Sequence, residues 1–200
     1  MSVSRDRVNS GEPVTISGRY QFKADDVWHS VPNHYVAVQL CIDPDCVYGS
    51  YDYVYTDANG EFNITLVPNQ TGYYRIGTYN EDPFITTETY ARFDMVVLQK
   101  ADLTSFDAQR DTDGKVAIVG HLQFGNFTPS PAPVEIQFSP TGNGDWTTQT
   151  TVDASRGPSE SGGYLFRTTI DETRPGYWRA VYRGVPDAYQ SDISGSVFVG

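Results

Sequence analysis

Hydrophobic and polar residues alternate in short runs along much of the chain. The clearest run contains Phe62, Ile64 and Leu66, with polar residues between them. A period of two indicates a β-strand with one buried face, because successive side chains of a strand point to opposite faces. No long run has a convincing helical period, so the pattern predicts an all-β chain. The predicted strands lie near residues 13–22, 34–42, 50–57, 61–67, 72–80, 89–98, 103–110, 115–124, 133–139, 146–153, 163–170, 176–183 and 192–199.

The strand pattern occurs twice. Residues 14–22, Val-Thr-Ile-Ser-Gly-Arg-Tyr-Gln-Phe, align with residues 116–124, Val-Ala-Ile-Val-Gly-His-Leu-Gln-Phe, at an offset of 102. Gly-Tyr-Tyr-Arg-Ile at 72–76 aligns with Gly-Tyr-Trp-Arg-Ala at 176–180. Matches of this kind at a nearly constant offset indicate an internal duplication.

A third pair of segments supports the duplication. The alternating apolar residues of 36–40 align with those of 134–138, at the smaller offset of 98. Loops change length more readily than strands, so a variable offset is expected. A repeat of about 100 residues with roughly seven strands suits a self-contained antiparallel β-sandwich. We therefore expect two domains, 1–100 and 101–200, with a short connection between them.

Several segments resemble the immunoglobulin-like repeats of bacterial secreted and cell-surface proteins. They are Thr-Asp-Ala-Asn-Gly-Glu-Phe at 56–62 followed by the segment at 72–76, and in the second half the segments at 133–140, 144–146 and 176–182. The resemblance implies two tandem antiparallel Ig-like β-sandwich domains. It also implies a noncatalytic extracellular or cell-surface module that acts in binding or adhesion, or as a spacer.

The two cysteines are close in sequence. Cys41 and Cys46 flank Ile-Asp-Pro-Asp, in which Pro44 and the two Asp residues favour a tight reversal that brings the sulfur atoms together. A local disulfide is predicted, and with it an oxidising, extracellular compartment. The alternative is a pair of reduced thiols in a cytosolic hairpin.

Charge narrows the choice of partners. The net charge is −11, with 25 acidic and 14 basic residues, and both halves are acidic. Such a surface repels phosphate backbones, so neither nucleic acid nor an anionic membrane is expected as a partner. The sequence has no apolar stretch long enough to span a bilayer, and no membrane insertion within this chain is expected.

Catalytic and metal-binding motifs are not found in the sequence. It has no Gly-x-Ser-x-Gly, His-Glu-x-x-His or Cys-x-x-Cys motif, so we expect no enzyme, no cofactor and no metal. An enzyme assembled from scattered Asp, Glu and Tyr residues is the least favoured alternative. Calcium stays open beside a purely turn-forming role for the acidic residues of predicted loops, which are Asp25, Asp26, Asp43, Asp45, Asp111 and Asp113.

Three tyrosines at alternate positions form the most unusual local feature. Tyr51, Tyr53 and Tyr55 share one face of a predicted strand. Alignment with the second half places Val54 on the core side, together with Trp146, and the tyrosines outward. A slip of one residue reverses every side chain, so tyrosines in the core remain an alternative. An exposed stripe would suit a protein partner or the faces of sugar rings.

Two tryptophans receive different predictions. Trp178 is expected in the core, because it lies in a strand in the middle of its domain. Trp28 lies in the polar stretch 23–30, a predicted loop, and either joins the tyrosines or folds back over the end of the sandwich.

The candidate binding surface is therefore Tyr51, Tyr53, Tyr55 and Trp28, with a protein or glycan ligand of unknown identity. The alternative function is a carbohydrate-binding accessory module of a secreted hydrolase.

Overall fold

A computed structural model of the chain describes residues 1–77, 91–125, 129, 131–156 and 163–200. Every secondary-structure element in these residues is a β-strand, as predicted. The chain divides into two compact units, Met1–Leu98 and Gln99–Gly200, and each is described by itself. The predicted strand ends at 78–80 and 89–90 lie outside the described residues.

Unit 1 contains ten strands. They are β1 (Ser2–Val3), β2 (Arg7–Asn9), β3 (Val14–Arg19), β4 (Gln21–Ala24), β5 (Val27–Ser30), β6 (Tyr35–Cys41), β7 (Gly49–Tyr55), β8 (Glu61–Leu66), β9 (Gly72–Gly77) and β10 (Ala91–Leu98).

Two sheets enclose the core of unit 1. One has the strand order β1-β3-β8, and the other has the order β2-β10-β9-β6-β7. The first two strands, β1 and β2, follow each other closely in the chain but belong to different sheets. This strand order is that of an immunoglobulin-like sandwich. The pair β2 and β10 is parallel, which departs from the predicted all-antiparallel pairing. The reason is that the chain crosses from one sheet to the other between β1 and β2, so that β2 runs beside β10 in the same direction.

The core of unit 1 is made from alternate residues of these strands. Val14 and Ile16 of β3 are fully buried and belong to one apolar cluster with Val38 of β6 and Met95 of β10. Burial of such side chains is the main term that stabilises a domain of this size. The period of two in the sequence is thus the period of contact with the core.

Unit 2 contains nine strands. They are β11 (Ala101–Arg110), β12 (Val116–Phe124), β13 (Pro133–Ser139), β14 (Thr147–Asp153), β15 (Ser155–Arg156), β16 (Tyr164–Ile170), β17 (Gly176–Tyr182), β18 (Asp192–Ile193) and β19 (Val197–Val199).

Unit 2 repeats the sandwich with a different edge. One sheet has the order β11-β12-β16-β15, and the other has the order β14-β13-β17-β18, with β19 also paired to β17. Trp178 is fully buried between the sheets, with its ring centroid 5.0 Å from that of Phe138. The prediction that Trp178 is a core residue is confirmed.

The duplication has a common packing detail. A Cβ atom on Gly18 would lie 2.8 Å from the ring of Phe62, and a Cβ atom on Gly120 would lie 2.2 Å from the ring of Phe166. Gly18 pairs with Phe62 across β3 and β8, and Gly120 pairs with Phe166 across β12 and β16. Each phenyl ring therefore rests on backbone that only glycine leaves uncovered, which explains why both residues recur in the repeat.

The predicted loop at 23–30 is wrong. Strands β4 and β5 form a two-stranded hairpin, in which Trp28 pairs with Lys23. The turn residues Asp25 and Asp26 have φ of 49° and 64°, so both adopt the left-handed conformation of a tight two-residue turn. Trp28 is 61% exposed and does not fold back over the sandwich.

The expected core position of Trp146 is also wrong. The register between β13 and β14 shifts between Ile136 and Gln137, so that Thr150 pairs with Ile136 but Thr148 pairs with Gln137. A bulge of this kind reverses the faces beyond it. Trp146 consequently lies on the outer side, with its ring 4.1 Å from the Arg179 guanidinium carbon.

Candidate functional site

The three tyrosines lie on β7, the edge strand of the five-stranded sheet. Tyr51, Tyr53 and Tyr55 are 48%, 56% and 71% exposed. Val54, between them, packs against the core cluster. The structure thus has the register with the tyrosines outward, and the alternative with core tyrosines is not observed.

Apolar exposure is concentrated around this strand. Among the described residues, 13 large hydrophobic side chains are exposed, and six of them lie between residues 42 and 55. We call these six the tyrosine patch: Ile42, Val47, Tyr48, Tyr51, Tyr53 and Tyr55. Clustered exposed apolar groups on a soluble domain indicate a contact surface, whereas scattered ones do not.

A disulfide closes the loop that connects β6 to β7. Cys41 and Cys46 are bonded, with their Cα atoms 4.8 Å apart. Both pack against Tyr73 of β9, whose hydroxyl donates to the carbonyl oxygen of Pro44 at 3.1 Å. The loop is thereby fastened over one end of the outer face of the sheet.

Asp43 fixes the shape of this loop. Its carboxylate accepts hydrogen bonds from the backbone N–H groups of Asp45, Val47 and Tyr48, at 3.1, 3.0 and 2.8 Å. The bonds from Tyr48 and Val47 are the main reason that the pKa of Asp43 lies below its ordinary value. A loop held by a disulfide and by a charged acceptor presents Val47 and Tyr48 with little remaining conformational freedom.

A row of polar side chains crosses the same outer face. Arg92 pairs with Arg75, Arg75 pairs with Gln39, and Gln39 pairs with Tyr51. The Gln39 amide donates to the Tyr51 hydroxyl at 2.6 Å. The Arg92 guanidinium carbon lies 3.8 Å from the centre of the Tyr73 ring. We call Arg92, Arg75, Gln39 and Tyr51 the outer row.

Trp28 does not share a sheet with the tyrosines. It belongs to the separate sheet of β4 and β5, whereas the tyrosines belong to the sheet of β6 and β7. The structure therefore brings three of the four predicted surface residues together on one strand. The loop residues Ile42, Val47 and Tyr48 were not predicted, although the disulfide that presents them was.

The matching face of unit 2 is polar. The Arg179 guanidinium donates to Gln137 at 2.9 Å, and Arg183 donates to both carboxylate oxygens of Glu135 at 3.0 and 2.8 Å. The hydrogen bond from Arg183 is the main cause that lowers the pKa of Glu135 to about 2. On this face Arg183 and Glu135 form an ion pair within the unit.

Acidic loop residues serve turns in the part of the chain that the structure describes. Asp111 accepts from the backbone N–H groups of Asp113 and Lys115, at 3.0 and 2.9 Å, much as Asp43 does in its own loop. Within the described ranges, no group of three or more His, Cys, Asp or Glu side chains is arranged to hold a metal ion.

Comparisons with known proteins find a likeness to solved structures. No protein-family model and no curated protein matches the chain significantly. The chain is similar to a solved structure of the D0-D1 domain of intimin, with 16% identity, a TM-score of 0.34, and coverage of 98% of this chain and 95% of that chain. A TM-score this low leaves the function to be argued from the residues themselves. None of the described residues forms a helix that is long and apolar enough to cross a membrane.

Proposed function

We propose that this chain is a noncatalytic extracellular module that binds a protein partner through the tyrosine patch of unit 1. The observation that carries the proposal is the concentration of exposed apolar side chains on β7 and the loop before it. Tyrosine supplies a large amphipathic contact area at a low cost in conformational entropy, which is why binding surfaces are rich in it.

The extracellular location is supported by the disulfide. Cys41 and Cys46 are both bonded, and disulfides of this structural kind persist in oxidising compartments. The loop that they close forms part of the tyrosine patch, so the proposed surface depends on the same environment. In this proposal the two domains, 1–100 and 101–200, divide the work, and the second one acts as a spacer or support.

Binding of carbohydrate is the second candidate function. Tyr51, Tyr53 and Tyr55 stand at alternate positions of one strand, and rings spaced roughly 7 Å apart can stack on successive sugar rings. The exposed aliphatic residues Ile42 and Val47 favour the protein partner, because sugar platforms gain little from branched apolar side chains.

The test uses the full chain against a displayed library of extracellular proteins and a glycan array. The patch variant carries Tyr51→Ser, Tyr53→Ser and Tyr55→Ser. The matched control carries Gln149→Ser, Thr151→Ser and Asp153→Ser on β14, the strand of unit 2 that corresponds to β7; all three side chains are exposed.

The patch variant is expected to lose protein binding at least tenfold, since truncation of central aromatic residues typically costs more than 1 kcal/mol each, and the control is expected to keep it. Hits on glycans alone, lost in the patch variant, would favour the second function. Protein binding that is unaffected by the patch variant would contradict both.

A further inference from the structure

Strand β7 leaves a long edge of its sheet open. It is the last strand in the order β2-β10-β9-β6-β7, and no other described strand pairs with its outer side. Its seven residues make it longer than β1, β2 and β8, the other edge strands of the two described sheets that enclose the core of unit 1. It pairs with β6 through seven consecutive residue pairs without a register shift. A long and regular edge of this kind is a template for the addition of a further strand.

The backbone of β7 presents hydrogen-bonding groups at this edge. Beyond the end of the strand, the Thr56 N–H donates to the carbonyl oxygen of His34 at 2.9 Å, so the pair of these two residues is a hydrogen-bonded one. Hydrogen-bonded and non-hydrogen-bonded pairs alternate along an antiparallel ladder. The even-numbered residues of β7 are therefore bonded to β6. The N–H and C=O groups of Tyr53 and Tyr55 consequently point away from β6, towards the open edge.

The sequence of β7 lacks most of the features that block an edge. Natural edge strands are commonly protected by Lys, by Pro or by a bulge. Residues 49–55, Gly-Ser-Tyr-Asp-Tyr-Val-Tyr, contain neither Lys nor Pro. Strand β14, which corresponds to β7 in unit 2, has the bulge opposite Ile136 and Gln137 instead. The ladder at the edge of unit 2 is thus interrupted, whereas the ladder at the edge of unit 1 is continuous.

A single charged side chain lies in the middle of this edge. Asp52 pairs with the fully buried Val38, so its carboxylate lies on the core side of the sheet, at the rim of the sandwich, where it is exposed. In the part of the chain that the structure describes, this carboxylate has no hydrogen bond and no ion pair. On a strand added to β7, the residue opposite Asp52 would form a non-hydrogen-bonded pair, in which the side chains approach most closely.

We propose that the protein partner adds an extended antiparallel strand to the open edge of β7, with a lysine or arginine opposite Asp52. This inference rests on the proposed function and specifies the segment that is bound. The backbone of the segment bonds to Tyr53 and Tyr55, and its side chains on the outer face lie against the tyrosine rings. Pairs of aromatic and β-branched residues, and pairs of opposite charge, stabilise neighbouring strands. Addition of a strand to a sheet edge is a recurrent way to bind an extended peptide.

A basic segment fits this edge better than a second copy of the chain does. Residues 47–57 contain no basic residue, so β7 paired with β7 of another copy would leave both Asp52 carboxylates without a counter-charge. The net charge of −11 also repels a second copy and attracts a basic partner. Asp52 therefore disfavours self-association and favours a partner of opposite charge.

The probe is an acetylated and amidated nonapeptide in which Val alternates with Thr and Lys replaces the central Val. The matched peptide has Glu in place of this Lys. Binding is followed by NMR titration of the full chain at low salt, where charges are screened least. We expect the Lys peptide to bind at least threefold more tightly than the Glu peptide. It should also slow the solvent exchange of the backbone amides of Tyr53 and Tyr55.

Two variants of the chain test the charge pair and leave every tyrosine in place. Asp52→Lys should reverse the preference, so that the Glu peptide binds at least threefold more tightly than the Lys peptide. Asp52→Asn is the matched control, which has the same size and no charge, and it should bind the two peptides equally. Circular dichroism and the melting temperature establish that both variants fold.

Methylation of the peptide backbone tests the addition of a strand. The N–H groups of the two residues that flank the central Lys would face β7, whereas the N–H of the Lys itself would point away. N-methylation of the two flanking residues should weaken binding at least tenfold, because the acceptors of the edge lose their donors. N-methylation of the Lys, which keeps the same side chains, should weaken binding by less than threefold.

Four outcomes would overturn the inference. One is equal binding of the Lys and Glu peptides to the wild type, and another is a preference that Asp52→Lys leaves unchanged. The third is an equal effect of the two kinds of N-methylation. The fourth is dimerisation of the chain through β7, measured by sedimentation, which would make a second copy the occupant.

Failure of the inference is distinguishable from failure of the proposed function. If library proteins bind through the tyrosine patch, but bind Asp52→Lys as well as the wild type and leave the amides of Tyr53 and Tyr55 unprotected, strand addition is refuted and the proposed function stands. If none of the library proteins depends on the tyrosines, the proposed function itself is refuted.

Discussion

Single residues account for the chemical difference between the outer face of unit 1 and that of unit 2. In unit 2, the Glu135 carboxylate accepts hydrogen bonds from Arg183, Gln137 and Thr148. These bonds, that from Arg183 above all, lower its pKa to about 2. Alanine stands at the corresponding position 37 of unit 1. In unit 1, Arg92 pairs instead with Asp94 of its own strand, at 3.1 Å.

The carboxylate of Glu135 makes the stability of unit 2 depend on pH. Its pKa in the folded chain is below the ordinary value of 4.5, so it stabilises the fold above about pH 4.5 and loses this effect as the pH falls towards 2. Over this pH range, we expect the free energy of unfolding of Glu135→Gln to fall by roughly 1–2 kcal/mol less than that of the wild type. Chemical unfolding at a series of pH values measures it.

Glu172 has a similarly lowered pKa of about 2, because of Arg174, so the variant should keep part of the acid dependence. Arg183→Gln is the matched control, since it removes the partner of Glu135 and not the carboxylate. An acid dependence identical in Glu135→Gln and the wild type would show that the carboxylate adds nothing to stability.

Glycine 120 should tolerate no side chain. An added Cβ atom would lie 2.2 Å from the Phe166 ring and 2.8 Å from the backbone oxygen of Ser105. Gly120→Ala is therefore expected to destabilise unit 2 by about 1–3 kcal/mol, the usual cost of overpacking a core.

The control is Gly125→Ala, where the nearest atoms are 3.8 Å away, in ordinary contact. Its cost should stay within about 1 kcal/mol. Denaturant titration compares the two variants. If Gly120→Ala were as stable as Gly125→Ala, the packing of the ring on the glycine would not be a determinant of the repeat.

At the scale of elements, periodicity predicted the long strands and missed the local exceptions. Strand β8 follows the alternation of Phe62, Ile64 and Leu66, since each of its faces meets a uniform environment. The sequence predicts a loop where the hairpin of β4 and β5 lies, because the turn uses two Asp residues instead of a glycine, and because Val27 and Trp28 are both exposed. An alternating pattern of apolar residues arises where one face of a strand is buried, and the side chains of this hairpin are exposed or half-buried.

The bulge in β14 shows a second limit. The displacement of Trp146 to the outer side follows from one extra residue opposite Ile136 and Gln137, and no pattern of apolar positions reveals such an insertion. The tyrosine stripe was predictable because β7 contains no bulge. The outer row was not, because it joins residues of four strands whose registers only the fold provides.

The loop between β6 and β7 should depend on its disulfide. Replacing both cysteines, Cys41→Ser with Cys46→Ser, is expected to destabilise unit 1 by about 2 kcal/mol, the value for a short closed loop. The contacts of Tyr73 with the two cysteines should loosen as well. Thermal unfolding and amide hydrogen exchange of residues 42–48 measure both effects.

As a control, the wild type is measured both with and without a reductant. Reduction should reproduce the double variant in both readouts. Unchanged exchange of the loop amides in the double variant would show that Asp43 and its hydrogen bonds hold the loop without the covalent link.

At the scale of the whole molecule, one sandwich occurs twice with two kinds of outer face. Each compact unit has its own apolar cluster, and the two clusters share no residue. Sequence comparison predicted the duplication because core positions repeat. It did not predict the difference between the faces, because exposed residues have no pattern that the core imposes.

Each unit should fold without the other. Residues 1–98 and 99–200, produced separately, are expected to give cooperative unfolding transitions, since each has a closed core of its own. Calorimetry of the two pieces and of the full chain measures this. An isolated piece that lacks a cooperative transition would mean that the predicted domains 1–100 and 101–200 are not independent.

The central claim is that unit 1 binds a protein through the tyrosine patch. The most direct test is hydrogen exchange of the full chain with and without a protein binder selected from the displayed library. We predict protection in residues 42–55 and in the neighbouring β6 and β9, with none in β13 and β14. Protection confined to unit 2, or to the hairpin of β4 and β5, would contradict the account.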